Sequence, residues 1–404
     1  MEWLIGEGRA YLERYQPPHQ HPSGLTVWQR SMLVGQWELR QRSRRRFPDP
    51  SRWLWTERSL AQASDWWSAV YKASHFPAGA PIVDACCGAG VDSAALLTRA
   101  SVTAIDLDEN MCALTQSNTT ACASARTTGH SLKVRNVAFD EVFAKQLSSE
   151  ATHLHIDPDR RAPSLSGQSP SLDNRTCDAD LFSPPLEVVL RCTQLFNGAM
   201  IKLAPSTRMS GSLQSEIDQL GSRIWIGNMG ECRQQLLLTG TLAFDGQRQR
   251  SAVLAEPNAS TPETYVGNVR EFATCLTQPA TFVFDLHPVL HAADLQLSWA
   301  DQHNLQPLGS EHGYFTGTSP IHGPWVQCFQ MIEELPWDDR KVRKWLRSRE
   351  VGVVEIKNRL VKLNAGEFQR KYSGKGAEHY SLLVTRLGDR VRALACRRMT
   401  VEPP

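Results

Sequence analysis

Three short runs in the first half of the chain bring together residue types that can do chemistry. Val83-Asp84-Ala85-Cys86-Cys87-Gly88-Ala89-Gly90 puts a carboxylate and two glycines at the end of an apolar run. Glycine lets the backbone approach a ligand closely, and a helix N-terminus just beyond offers free N–H groups. Asp106 ends the next apolar run, sixteen residues after Gly90. A carboxylate at that place accepts hydrogen bonds from both hydroxyls of a ribose. Asp157-Pro158 ends the fourth such run, at the crevice where open α/β sheets hold ligands. The chemistry implied is the capture of a nucleoside cofactor with a reacting group near Asp157. A dinucleotide fingerprint needs a third glycine, and Ser93 stands in its place, so NAD is not expected.

These residues need a scaffold, and the chain around them has its texture. From Pro81, short apolar runs alternate with helical stretches: Ile82–Ala85, Val102–Asp106, Leu132–Arg135, Leu154–Asp157 and Ala199–Leu203 read as strands. Strand–helix alternation implies a parallel sheet with helices on its faces. Ile224–Ile226, Gln234–Leu238 and Ser251–Leu254 continue the strand pattern, and residues 256–265 read as a linker. Residues 162–185, rich in Ser, Pro and Asp, read as a long loop beside the site that can serve as a lid. Residues 1–78 read as helical, with helices at 26–46 and 59–75, and hold seven of the twelve tryptophans. Such a cluster is expected to be a packed core. A third unit, about 280–399, has strands at 281–285, 325–331 and 352–357. Helices are expected at 288–301, 338–349 and 365–371, and a hairpin at 380–398.

The Asp84-x-Cys-x-Gly-x-Gly pattern resembles motif I of class I S-adenosylmethionine (SAM) methyltransferases. With Ile105-Asp106-Leu107-Asp108, it is similar to the SAM site of the trimethylguanosine-synthase-like RNA methyltransferases. Nearly the whole chain resembles bacterial class I SAM-dependent methyltransferases with a THUMP-like domain. Arg45–Pro48, Leu60–Ala63, Asp157–Arg161, Met229–Gln234 and Val354–Arg359 carry that resemblance. It implies a Rossmann-like α/β core at 79–256, an N-terminal helical region at 1–78 and a C-terminal α+β THUMP-like module at 270–400. It implies SAM as cofactor, with Asp84, Cys86, Gly88 and Gly90 on its methionine and ribose side. Asp106 then holds the ribose and Leu107 packs on the adenine. Asn136-Val137-Ala138 sits where the family places its adenine-contacting acid, and Asp140, two residues on, is the candidate. Asp157 and Pro158 face the transferred methyl, and Arg160 can stack on a base or bind phosphate. The Asn/Asp-Pro-Pro-aromatic motif of amine methyltransferases is altered here, since Asp159 and Arg160 fill its last two places.

The 404 residues are 41% hydrophobic and 21% charged, the composition of a globular protein of two or three domains. No run of about 18 apolar residues suggests a membrane span, and no signal peptide is evident. Ten scattered cysteines with no CxxC read as reduced thiols in a cytoplasm, and His153 and His155 lack the partners of a metal site. The net charge of +2 hides an asymmetry: +4 over residues 1–80, −11 over 81–337 and +9 over 338–404. Arg40–Arg46 and Arg340–Arg349 are the basic runs that could contact RNA phosphates. Lys202 follows a strand and could reach the site, but a surface lysine is the favoured reading, and Cys86-Cys87 reads as tight packing. The expected function is methylation of a base in tRNA or rRNA. The alternatives are a protein or small-molecule methyltransferase, and a SAM- or RNA-binding module without turnover.

Overall fold

The apolar runs read from the sequence become the central strands of the computed structural model. The structure describes residues 1–14, 23–123, 129–160, 176–244, 250–257 and 259–399. Arg161 and most of the loop expected at 162–185 lie outside them. The chain divides into two units: Met1–Met229 with Arg233–Arg248 and Ala255–Glu263, and Gly230–Cys232 with Gln249–Leu254 and Thr264–Pro404.

In the first unit the strands are β1 (Ile82–Ala85), β2 (Val102–Asp106), β3 (Leu132–Asn136), β4 (His153–Ile156), β5 (Gly198–Leu203), β6 (Gly221–Asn228) and β7 (Glu231–Gly240). Their order is β3-β2-β1-β4-β5-β7-β6. The pairs from β3 to β5 are parallel, and β5–β7 is antiparallel. β1 and β4 are buried at every position, which explains their continuous apolar runs. Val83, Ile105, Leu154, Ile156, Ala199 and Ile201 form one core with Leu186, Val189 and Leu190 of a covering helix.

The N-terminal helices follow local signals. Thr26 caps the helix Val27–Ser43 through a capping box with Gln29. The single helix expected at 59–75 is two, Glu57–Gln62 and Trp66–Ser74, because Asp65 stops one and caps the next. Trp53 and Trp55 are buried and stacked, with Phe47 tilted 5.1 and 5.0 Å from them, whereas Trp28 is exposed. Buried Asn118 binds this region to the glycine turn. Its Oδ1 accepts from Leu54 N–H, and its amide donates to the carbonyls of Leu54 and Ala89.

Two further strands follow, β8 (Arg250–Leu254) and β9 (Glu263–Gly267), the latter where a linker was expected. The second unit then adds β10 (Phe282–Leu286), β11 (Gln306–Leu308), β12 (Tyr314–Gly317), β13 (Val326–Pro336), β14 (Val351–Asn358), β15 (Glu378–Leu387) and β16 (Arg390–Arg398). The sheet order is β11-β12-β10-β13-β16-β15-β14, and only β14–β15 runs parallel. Alternation along β15 makes two cores. Leu382 and Val384 join Val342, Trp345 and Leu346 of the helix Asp339–Ser348, while Leu383 and Leu387 join Phe329 and Tyr314. The helix expected at 288–301 is broken into Pro288–Ala292 and Gln296–Gln302, with Asp294 left-handed at φ 57° between them.

Candidate functional site

A cavity of about 500 Å³ opens beyond the C-terminal ends of β1, β2, β4 and β5. Asp84, Cys86, Gly88, Asp106, Leu107, Asp157, Pro158 and Arg160 all line it, so the parallel register collects what the sequence spread over 77 positions. Gly90 and Asp140 do not line it.

The glycine turn explains its own composition. Gly90 has φ 81°, and a Cβ there would sit 2.8 Å from the Thr115 backbone. Gly88 has φ 57° and nothing within 4 Å of where a Cβ would stand, which leaves a cradle against the cavity wall. Gly88 N–H donates to Asp106 Oδ2 at 2.8 Å, and Asp108 N–H donates to Oδ1 at 2.9 Å. Burial nevertheless pushes the Asp106 carboxyl above its ordinary range. The Asn136 amide donates to the carbonyls of Asp106 and Leu107, both at 3.0 Å, and holds the exposed Leu107 at the rim. Val137, Ala138 and Phe139 complete that wall. Asp140 instead caps the next helix, accepting from Phe143 N–H at 2.8 Å.

Asp84 is buried and fully engaged. His155 Nδ1 lies 2.7 Å from Oδ1, and Ser93 Oγ donates to Oδ2. The strand histidine that the sequence left without a role therefore fixes the carboxylate at the turn. His153 instead meets the hydroxyls of Thr152 and Thr241. Burial and the surrounding carboxylates of Asp106 and Asp157 push the Cys86 thiol far up, which keeps it protonated and non-nucleophilic.

Asp157 is paired with Lys202, whose ammonium donates to Oδ2. Lys202 was expected at the surface, but its side chain is only 11% exposed because β5 lies beside β4 and aims it inward. Asp159 accepts from Arg58 Nη2 at 2.8 Å and Gln62 Nε2 at 3.0 Å. Arg160 makes no ion pair among the described residues. Behind the turn, Lys72 Nζ is 2.6 Å from Asp92 Oδ1, and Ser64 bridges the two. Burial alone would raise the Asp92 carboxyl, but the Lys72 ammonium holds it well below the usual carboxylate range. None of these cations shows a local sequence signal for its role, since each partner is distant in the chain.

The two basic runs differ. Arg40 is buried with Nε 2.9 Å from the Trp53 carbonyl, and burial drops its pKa to about 10. Arg46 donates to the carbonyls of Leu60 and Ala63, and Arg42 pairs with Glu57. Arg42, Arg44 and Arg45 are exposed, the last two without an ion pair among the described residues. Of the run Arg40–Arg46 expected to contact RNA, Arg40 and Arg46 are thus used internally, while Arg42, Arg44 and Arg45 remain at the surface. On the helix Asp339–Ser348, Arg340, Lys341, Lys344 and Arg347 are exposed and make no ion pair among the described residues.

Residues 326–398 match the THUMP domain-like family. Over 360 residues the chain is 26% identical to an uncharacterized S-adenosylmethionine-dependent methyltransferase of Mycobacterium tuberculosis, covering 86% of this chain and 89% of the relative. The crystal structure of a candidate methyltransferase from Porphyromonas gingivalis W83 has the same fold. Its TM-score is 0.75 at 17% identity, covering 99% of both chains.

The chain has the fold of class I SAM-dependent methyltransferases, with a C-terminal THUMP-like domain.

In the methyltransferase, the described residues contain no group of His, Cys, Asp and Glu able to hold a metal ion. Among them no helix is long and apolar enough to cross a membrane.

Proposed function

We propose that this methyltransferase, with 79–256 as its catalytic domain, methylates a base in RNA by direct transfer from SAM. The observation that carries the reading is the meeting of the glycine turn, Asp106 and Asp157-Pro158 in one cavity. The cradle at Gly88 and the free lone pairs of Asp106 fit SAM. When bound, SAM supplies an electrophilic methyl on a sulfonium. Asp106 accepts the ribose hydroxyls, and Leu107, Val137 and Phe139 give the adenine an apolar wall. Asp84, fixed by His155 and Ser93, stiffens the turn that carries the methionine end.

The acceptor side needs position more than acid–base strength. An exocyclic amine is a weak nucleophile because its lone pair is delocalised into the ring. The Asp157 carboxylate and the Pro158 carbonyl accept its N–H bonds and aim the lone pair at the methyl. Lys202 fixes the orientation of Asp157. Arg160 is available to stack on the base or hold a phosphate. The THUMP-like match and the exposed cations of the helix Asp339–Ser348 support RNA as the acceptor. The missing aromatic after Asp157-Pro158 favours, as a second reading, a protein or small-molecule acceptor.

The test is transfer from methyl-labelled SAM into lysate of cells lacking the protein, followed by RNase, DNase or protease. Label lost only to RNase is expected, with turnover falling at least 100-fold in Asp157→Ala. Label that survives RNase supports the second reading. SAM binding without label in any fraction overturns both in favour of a non-catalytic module.

A further inference from the structure

The second unit has a cavity of its own, about 330 Å³, in which buried polar groups converge. Lys357, Asn358 and Arg359, at the end of β14 and just beyond it, line one side of this cavity. Asp285, at the end of β10, is buried between two cations. Lys357 Nζ is 2.7 Å from Oδ2, and Arg359 Nη2 is 2.9 Å from Oδ1. Burial alone would raise the Asp285 carboxyl, but Arg359 and Lys357 hold it below its ordinary value. The triad carries a net charge of +1. Asp285 is saturated by these bonds, but its partners are not. Arg359 Nη1 makes no hydrogen bond among the described residues, and the Lys357 ammonium has donors to spare.

Two further side chains on the cavity wall are buried without a partner. Tyr314 is fully buried, and its hydroxyl meets no hydrogen-bonding group. His287 is 8% exposed. Its Nδ1 accepts from Val289 N–H at 3.2 Å, and its Nε2 has no partner. Burial lowers the His287 pKa to about 4, so the ring is neutral near pH 7 and its proton sits on Nε2. Tyr314, pushed well up by burial, also keeps its proton. Every unsatisfied group here is therefore able to donate, and a buried donor left unpaired is unfavourable. What satisfies four converging donors under a net positive charge is an oxyanion with several terminal oxygens.

We propose that this cavity binds a phosphate monoester through Lys357, Arg359, His287 and Tyr314. A monoester presents three terminal oxygens end-on to groups that lie below the surface. An internal phosphodiester offers only two terminal oxygens and carries sugar on both sides, so it cannot enter this recess end-on. Pro288, Pro324 and Val326 provide an apolar wall for the sugar or base that carries the phosphate. The source is either a free nucleotide or the phosphorylated end of an RNA. The site stands whether or not RNA is the methyl acceptor.

The full-length protein is titrated calorimetrically with inorganic phosphate and AMP, and by anisotropy with one RNA oligonucleotide bearing either a terminal phosphate or a terminal hydroxyl. AMP binding that weakens at least tenfold in Lys357→Gln and several-fold in Tyr314→Phe identifies a free nucleotide site. Preference for the phosphorylated oligonucleotide, lost in the same variants, identifies an RNA end. Tyr314→Phe removes one oxygen and keeps the ring, so it decides the matter if Lys357→Gln fails to fold. No binding of any of the four probes overturns the proposal, as does binding that both folded variants leave unchanged.

Discussion

Arg40–Arg46 and Arg340–Arg349 look alike in sequence but divide their cations differently between core and solvent. The first run turns two of its five arginines inward: Arg40 and Arg46 satisfy backbone carbonyls, while Arg42 pairs with Glu57 at the surface. The second faces water, with Val342, Trp345 and Leu346 anchoring one side of the helix. The difference lies in what each run has to cover. Arginine has a long apolar stem and a donor-rich head, so next to a tryptophan-lined core with free carbonyls it becomes part of that core. Where the adjoining helix face is already closed by Trp345 and Leu346, the same charge stays solvated. A count of basic residues therefore says little about RNA until the carbonyls around them are counted too.

Lys72 is the extreme of the inward class. Lys72→Met leaves Asp92 buried without a counter-charge and is expected to cost about 3–5 kcal/mol in chemical denaturation at pH 7. Asp92 is depressed in the folded state, so its contribution is fully present above the unfolded carboxyl value near 4 and is lost as pH falls below it. The gap between wild type and variant should accordingly begin to narrow below about pH 4 and close only as the depressed folded carboxyl itself protonates. An equal gap at pH 3 and pH 7 would show that lost packing, not charge, sets the cost.

Arg40→Met keeps most of the stem and removes the bond to Trp53. It should cost about 1.5–3 kcal/mol in the same measurement and leave RNA affinity per folded molecule unchanged. Loss of RNA binding at full stability would erase the contrast between the runs. The outward run should behave in reverse. Arg340→Gln, Lys344→Gln and Arg347→Gln together should move stability by less than about 0.5 kcal/mol. The same triple variant should weaken single-stranded RNA at least tenfold and lower the slope of log K against log salt by about 2. An unchanged slope would remove this helix from any RNA contact.

How much was legible follows the range of the signals. The turn at 84–90, Asp106 and Asp157 could be read because a glycine turn and a strand-end carboxylate are local chemistry. The parallel strands could be read because β1 and β4 are apolar throughout. Lys202 and His155 escaped because their partners are set by strand order, which sequence spacing does not encode. Asp140 could be read as a binding acid or a helix cap, and its bond to Phe143 N–H shows the cap. Short β11 and β12 passed unnoticed because neither is long enough to show an alternation.

Asn118 has a consequence for dissection of the chain. Its three hydrogen bonds run to Leu54 on one side and Ala89 on the other, so the helical segment and the nucleoside-binding turn share one buried amide. A fragment starting at residue 79 would lose Leu54 and Lys72 together. It would be left with an unsatisfied amide and an unpaired carboxylate directly behind the glycine turn. The N-terminal helices are therefore not an appendage to the catalytic sheet but part of the same melting unit, and any minimal enzyme has to begin upstream of them.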